Sequence, residues 1–360
     1  MTTAIVLFSG GLDSLLTTKI LQAQDINVIG LHVATPFQDS SKDAALWAEK
    51  FGIELVVEHL GDEYVKLLAN PRWGVGKGVN PCIDCRIAMC RAAARLMEER
   101  GADFVATGEI AGQRPNSQKL HQLNLITKES GLKGKLLRPL TAKTLAPTEP
   151  ELTGLVDREK LYSYTGRSRG RLIRRARETF GIRPIPQPST GCLLAEKSFA
   201  PRVRDYLKYN SEPTLWGIES LLAGRHLRLN ERIKAAVSRN EEDGKKLAAL
   251  FNRTDRGNCF FLSPENFMGP SVLTFITPET DPITESDIAL TGSLLLRFSN
   301  QEKLAKIGGP AELDLSLSPE KTEIIKAYPD SAADLFRMIE ETVKVKKAPE
   351  ENEPEQEELG

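Results

Sequence analysis

Apolar residues follow two periods along the first half of the chain. Ala4 to Phe8, Asn27 to Val33, Ile53 to His59 and Asp103 to Thr107 are short runs rich in Val, Ile and Leu, as expected of strands in a covered parallel sheet. Between them, Leu12 to Ala23, Asp39 to Lys50 and Arg86 to Glu99 carry apolar residues three and four apart, with Gly52 and Gly101 as closing turns, which predicts helices. This βαβ alternation predicts a doubly wound α/β domain whose ligands sit at the carboxyl ends of the strands. From about Leu137 to Cys192 the pattern loosens, and Pro184, Pro186 and Pro188 punctuate an extended stretch that returns toward that edge. Beyond Lys197 the segments shorten. Arg225 to Leu229, Gly257 to Leu262, Ser271 to Thr277 and Ile288 to Phe298, separated by turn-rich stretches, predict a smaller α+β domain. The expected layout is 1–195, 196–345 and an acidic tail, 346–360, with too little apolar content to fold. No internal repeat is visible.

At 360 residues the chain is long for a single core. Apolar residues make up 40% and charged ones 27%, with no run long enough to span a bilayer. No basic residue precedes Ala4 to Phe8, so the start does not read as a signal peptide and a cytoplasmic location is expected. The net charge of -1 hides an uneven distribution. Glu350, Glu351, Glu353, Glu355, Glu357 and Glu358 crowd the tail, whereas Arg167, Arg169, Arg171, Arg174, Arg175 and Arg177 share a segment whose only acid is Glu178. A solvated helix face mixes signs, so the arginines are assigned as a phosphate-backbone footprint on RNA. Five cysteines in a reducing compartment leave metal binding, catalysis or burial rather than disulfides.

Ser9-Gly10-Gly11-Leu12-Asp13-Ser14 follows the first strand and opens the first helix. Adjacent glycines let backbone N–H groups approach an anion, and the helix N-terminus adds partial positive charge. The Gly-Lys-Ser/Thr ending of a Walker loop is missing, so transfer of a terminal phosphoryl group is not expected. The plain alternative is an ordinary turn capped by Asp13. The whole hexapeptide in this context, however, resembles the SGGxDS signature of the PP-loop ATP pyrophosphatase superfamily, over about Thr3 to Leu194. The resemblance implies an adenine nucleotide alpha hydrolase-like fold and cleavage of ATP to AMP and pyrophosphate with adenylation of a carbonyl or carboxyl oxygen. It implies pyrophosphate binding by Ser9, Gly10, Gly11, Asp13 and Ser14. Asp13 beside phosphates calls for compensation by Mg²⁺ or hydrogen bonds, and is counted as catalytic. Ala106-Thr107-Gly108 resembles the family's ATG segment, which adds Thr107 and Gly108. His32, in a strand at the same edge, is counted with the nucleotide contacts, although such a histidine is more often a satisfied core residue than a metal ligand.

Asn80-Pro81-Cys82-Ile83-Asp84-Cys85 opens the helix that carries Arg86 to Glu99, so its two thiols lie one turn apart and can face one point. Pro188-Ser189-Thr190-Gly191-Cys192 supplies a third cysteine after a tight turn. These segments resemble the two catalytic segments of tRNA 2-thiouridylases, with two departures. Cys82 stands where that family has Asp, and Cys192 follows Gly191 without the family's intervening residue. Three thiolates at Cys82, Cys85 and Cys192 suit an iron-sulfur cluster (4Fe-4S) with one open iron, as in the cluster-dependent thiolation enzymes of the same superfamily. A zinc site, usually needing a fourth ligand, and a persulfide on Cys192 resolved by Cys85 stay open. Cys90 and Cys259 sit among apolar neighbours and are assigned to the core.

In the second domain, Gly224-Arg225-His226-Leu227-Arg228 and Val237-Ser238-Arg239-Asn240-Glu241-Glu242-Asp243 resemble pieces of the NFACT RNA-binding domain, over about Leu215 to Phe298 and without the glycine expected before Arg239. Together the resemblances imply ATP-dependent tRNA thiolation, with tRNA and sulfide or a sulfur-donor protein as partners and no membrane. They leave C2 and C4 sulfuration both open. The 4-thiouridine synthases usually carry an RNA-binding module ahead of the PP-loop, for which residues 1–8 leave no room. Two rivals remain: ATP-driven amidation of a small molecule with zinc at the cysteines, and a non-catalytic RNA-binding protein.

Overall fold

The structure, a computed structural model, describes residues 1–186, 191–278, 281–307 and 309–327. Two compact units emerge. The first is Met1–Arg204 with Pro213–Leu215, and the second is Asp205–Glu212 with the described residues from Trp216 onward.

The first unit runs β1 (Thr3–Leu7), α1 (Leu12–Gln22), β2 (Asn27–Ala34), α2 (Ser41–Phe51), β3 (Glu54–His59), α3 (Asp62–Ala69), α4 (Cys82–Arg100), β4 (Phe104–Thr107), α5 (Leu120–Glu129), β5 (Leu136–Leu137), α6 (Glu149–Leu152) and α7 (Gly170–Glu178). The strands form one parallel sheet ordered β3-β2-β1-β4-β5, the doubly wound arrangement expected. Strand order reverses beside β1, so the crevice for a ligand opens between the loops that follow β1 and β4. The register keeps those loops level, because Leu7 lies opposite both Leu31 and Thr107. Ala4 to Leu7 and all of β4 are buried, which accounts for their continuous apolar runs. Gly52 and Gly101 end α2 and α4 in the left-handed conformation, where a Cβ would be strained.

The second unit holds the end of α8 (Ala200–Tyr209), most of α9 (Leu215–Ser220), β6 (Arg225–Arg228), β7 (Ile233–Val237), α10 (Glu241–Phe251), β8 (Cys259–Pro264), β9 (Val272–Ile276), α11 (Glu285–Phe298), α12 (Gln301–Leu304), β10 (Ala311–Ser318) and β11 (Lys321–Ala327). Its antiparallel sheet is ordered β11-β10-β8-β9-β7-β6. The period of two along each strand sorts the core by face. Ala235, Val237, Phe260 and Leu262 pack with Leu294 and Leu295 of α11, while Ala236, Cys259, Phe261 and Leu273 pack with Leu247 and Phe251 of α10. Cys259 is thus core, as its apolar surroundings suggested. Ile288 to Phe298, one of the short segments, lies in helix α11. The overlooked signal lies just upstream, where Thr284 accepts from the Asp287 N–H and Asp287 returns to the Thr284 N–H, a helix-starting box. The end of the expected second domain, 328–345, and the acidic tail, 346–360, lie outside the described residues.

Thr284→Ala is expected to destabilise the second unit by about 0.5–2 kcal/mol, read as a lower urea midpoint. Thr284→Ser should stay close to wild type.

Candidate functional site

The Ser9–Ser14 loop leaves β1 and becomes α1 without a side-chain cap at Gly11, so first-turn amides remain available to a ligand. The loop is braced from within: the Ser14 hydroxyl donates to the Gly11 carbonyl at 2.9 Å and accepts from the Ser9 N–H at 3.3 Å. Gly10 has φ +72°, and a Cβ there would stand 3.0 Å from the Ala44 backbone, so glycine serves the turn and the approach of α2. At Gly108 a Cβ would come within 2.7 Å of the Asp13 carbonyl carbon, which seats the β4 exit directly on the loop. Asp13 accepts from Gln113 Nε2 at 3.0 Å through Oδ2, while its Oδ1 is buried without a hydrogen-bond partner among the described residues. Burial raises the Asp13 pKa against the opposing pull of Gln113, Arg169 and Arg114.

A cavity of about 570 Å³ opens at this edge of the sheet. Ser9, Gly11, Asp13, Ser14, His32, Thr107 and Gly108 line one part of it, and Cys82, Cys85 and Cys192 another. Of the expected nucleotide contacts, Gly10 does not line it. Arg167 and Arg169 reach the cavity, whereas Arg171, Arg174, Arg175 and Arg177 do not. Two of those four cover rings: Arg171 lies 5.7 Å from the Tyr164 centroid and Arg175 lies 5.0 Å from that of Tyr162. Arg174 and Arg177 are exposed.

The thiols are assembled by backbone contacts. Cys82 begins α4 with Asn80 Nδ2 donating to its sulfur at 3.0 Å. Asp84, between the pair, accepts the N–H groups of Arg72 and Trp73 at 3.0 and 3.1 Å and so anchors the preceding loop. That loop receives the distant cysteine segment. Val79 N–H donates to the Leu194 carbonyl at 2.9 Å, and a Cβ on Gly78 would lie 2.1 Å from the same oxygen. Arg204 donates to the Gly78 carbonyl at 3.0 Å. Of the motif around Cys192, Pro188, Ser189 and Thr190 lie outside the described residues. Burial pushes the Cys85 thiol up to about 12 against the pull of Arg86. It raises Cys192 as well, opposed by a backbone hydrogen bond at Leu194. Cys90 is fully buried, in keeping with a core role. Among the described residues, no three His, Cys, Asp or Glu side chains are grouped so as to hold a metal ion.

Sequence reasoning missed the charged floor of the cavity. Glu109 is 2% exposed and accepts from Arg138 Nε at 3.0 Å and from the Thr107 hydroxyl at 3.2 Å. Its other oxygen, Oε1, faces Arg86 Nε at 3.7 Å. Arg138 spends further donors on the Thr127 hydroxyl and the Leu123 carbonyl. Burial pushes the Glu109 pKa upward, but Arg138 and Arg86 outweigh it and the net shift is down. Adjacency could have found both cavity residues, since Arg86 follows Cys85 and Glu109 follows Gly108. Isolated charges carry no spacing signal.

Three outcomes follow from this geometry. Gly78→Ala is expected to displace the Leu194 segment, raising the reactivity of Cys192 toward an alkylating reagent while the melting profile of the fold persists. Arg138→Met strands a buried carboxylate and should cost about 3–5 kcal/mol. Because the folded-state pKa of Glu109 is depressed, its contribution is full above the ordinary carboxylate pKa and fades as pH falls through the folded value. Glu109→Gln should flatten that acid limb in denaturant titrations at several pH values.

Comparison with known proteins agrees with the two regions. Residues 2–130 match the tRNA methyl transferase HUP domain family, and residues 224–329 match the NFACT protein RNA binding domain, further along the chain than Phe298. A tRNA-specific 2-thiouridylase, MnmA, of Flavobacterium johnsoniae is 32% identical over 124 residues, covering 30% of this chain and 31% of the relative. A probable tRNA sulfurtransferase of Thermococcus kodakarensis is 25% identical over 145 residues, covering 38% and 36%. The chain spans about a third of the length of these curated relatives. Among solved structures, a 4-thiouridine synthetase–RNA complex with bound ATP has a TM-score of 0.32 and 24% identity, covering 38% of this chain and 36% of that one. The chain joins an N-terminal PP-loop region resembling the tRNA thiouridylases to a C-terminal region that matches the NFACT RNA-binding domain.

Proposed function

We propose that the protein thiolates uridine in tRNA at the expense of ATP, releasing AMP and pyrophosphate. The observation that carries this reading is that the phosphate-type loop and three cysteines open on one cavity. The similarity of the N-terminal region to tRNA thiouridylases supports the choice of sulfur chemistry.

Ser9, Gly11 and Ser14, with the open amides of α1, bind the β- and γ-phosphates. Asp13 Oδ1, buried and unpartnered among the described residues, fits a Mg²⁺ ion, which would neutralise the phosphates beside it. The uridine carbonyl oxygen attacks the α-phosphate and pyrophosphate leaves. Hydrosulfide then adds at the activated carbon, AMP departs with the former carbonyl oxygen, and the proton of the sulfide is lost to solvent. Arg86 and Arg114 supply positive charge toward the thiol wall and toward AMP. The base must first leave its stack, at a cost of about a few kcal/mol.

The donor set fits a 4Fe-4S cluster in number and softness, since three thiols face one cavity and a cluster separates its ligands more widely than a single ion does. Cys82, Cys85 and Cys192 would hold it, and an open iron would supply a binding place for sulfide. Arg167 and Arg169, which reach the cavity, guide the RNA backbone in. The match to an RNA binding domain supports a grip on RNA by the second unit. Among the described residues no helix is long and apolar enough to cross a membrane.

The test is anaerobic purification with iron and sulfide analysis, then assay with ATP, sulfide and unmodified tRNA. tRNA should stimulate pyrophosphate release, and nucleoside mass spectrometry should show a thiouridine. Asp13→Asn is expected to slow pyrophosphate release by about 10²–10³-fold. Cys192→Ser should keep pyrophosphate release and lose the thionucleoside. Thiouridine formation that survives Cys192→Ser would remove the thiols from the mechanism.

A further inference from the structure

His32 lies on β2 one residue beyond Leu31, the partner of Leu7, and is therefore level with Phe8 where the Ser9 loop leaves the sheet. Its ring is 4% exposed and lines the cavity. Nδ1 stands 3.1 Å from the Phe8 carbonyl oxygen. A carbonyl only accepts, so Nδ1 carries the hydrogen. Burial is the largest influence on the ring; with His59 it outweighs the Phe8 bond and Asp39 and holds the imidazole pKa below its usual value. A neutral ring with its hydrogen on Nδ1 presents Nε2 as an acceptor, and Nε2 is buried with no hydrogen-bond partner among the described residues. The Asp39 carboxylate, 48% exposed, is 3.8 Å away and accepts the Ser41 N–H at 2.8 Å, too far and of the wrong polarity to satisfy a lone pair. Leaving such a group unpaired in a buried site is unfavourable. A donor entering through the cavity would satisfy it.

We propose that His32 Nε2 accepts a hydrogen bond from the 6-amino group of adenine and thereby selects ATP against nucleotides that lack this donor. The assignment rests on the ATP-binding reading above. With phosphates at Ser9–Ser14, the purine extends over β2 or over β4. The β4 side presents Glu109, Gln113 and Arg114, whereas on β2 Leu31 and Val33 flank His32, a surface suited to a flat apolar ring with one polar edge. Guanine would place its O6 acceptor against an acceptor nitrogen. Unsubstituted purine would leave Nε2 unpaired.

The experiment is calorimetric titration of the full chain with the Mg²⁺ complexes of ATP, GTP and purine riboside triphosphate, the last being ATP without its 6-amino group. Wild type should bind ATP about tenfold or more tightly than purine riboside triphosphate, and GTP less well still. His32→Leu should abolish the preference, chiefly by weakening ATP. His32→Gln, whose side-chain carbonyl also accepts, should keep part of it. Pyrophosphate affinity, which reads the loop alone, should be unchanged in both variants. Equal affinity of wild type for ATP and purine riboside triphosphate overturns the assignment, as does an undiminished preference in His32→Leu. Failure of wild type to bind any of the three nucleotides sinks the ATP reading instead.

Discussion

Everything in the first unit depends on β1 being hydrogen-bonded on both edges with its last residue level with both neighbours. Leu7 is opposite Leu31 and Thr107, so the chain leaves three adjacent strands at one height. The loop at Ser9, the imidazole of His32 and the turn at Gly108 thereby meet within one cavity. A slip of one residue would reverse every side chain on β1 relative to the core. The register is protected by burial on both faces, because Ala4, Ile5 and Val6 are fully enclosed. Gly108 then brings the β4 exit against Asp13 so closely that no side chain fits between.

The thiol wall is built by different means. Cys82 and Cys85 come from one helix, but Cys192 arrives from more than a hundred positions away and is held by backbone pairing between Val79 and Leu194. Between the two walls lies a floor in which Arg138 is spent on Glu109 and Glu109 faces Arg86. A buried pair of this kind contributes little net stability but fixes where charge is allowed. Its effect is to leave Arg86 beside thiols that burial keeps protonated until something compensates their charge. A cationic group bound among them supplies that compensation, whereas a further anion adds to the charge.

The parallel sheet was legible because β1 and β4 carry buried apolar runs and α1, α2 and α4 follow a simple period; β5, only Leu136–Leu137, is too short to show a pattern. The Ser9 loop was legible because its chemistry is local: six consecutive residues in one strand-to-helix connection. Non-local features were not. Nothing in the spacing of Arg86, Glu109 and Arg138 announces that a fold will stack them, and the six arginines between Arg167 and Arg177 look alike in sequence. Packing divides them, sending Arg167 and Arg169 to the cavity and laying Arg171 and Arg175 over tyrosine rings. In the second unit, helix α11 was hidden because its apolar stretch is nearly continuous, and only the Thr284–Asp287 box marks its start.

The central claim is that the oxygen of the base becomes bonded to phosphorus before sulfur enters. The most direct measurement uses tRNA carrying ¹⁸O in the uridine carbonyls, incubated with the protein, ATP and sulfide, and follows the isotope by mass spectrometry. The account predicts ¹⁸O in the AMP released, in amounts matching the thiouridine formed. Thiouridine formed with unlabelled AMP would contradict it.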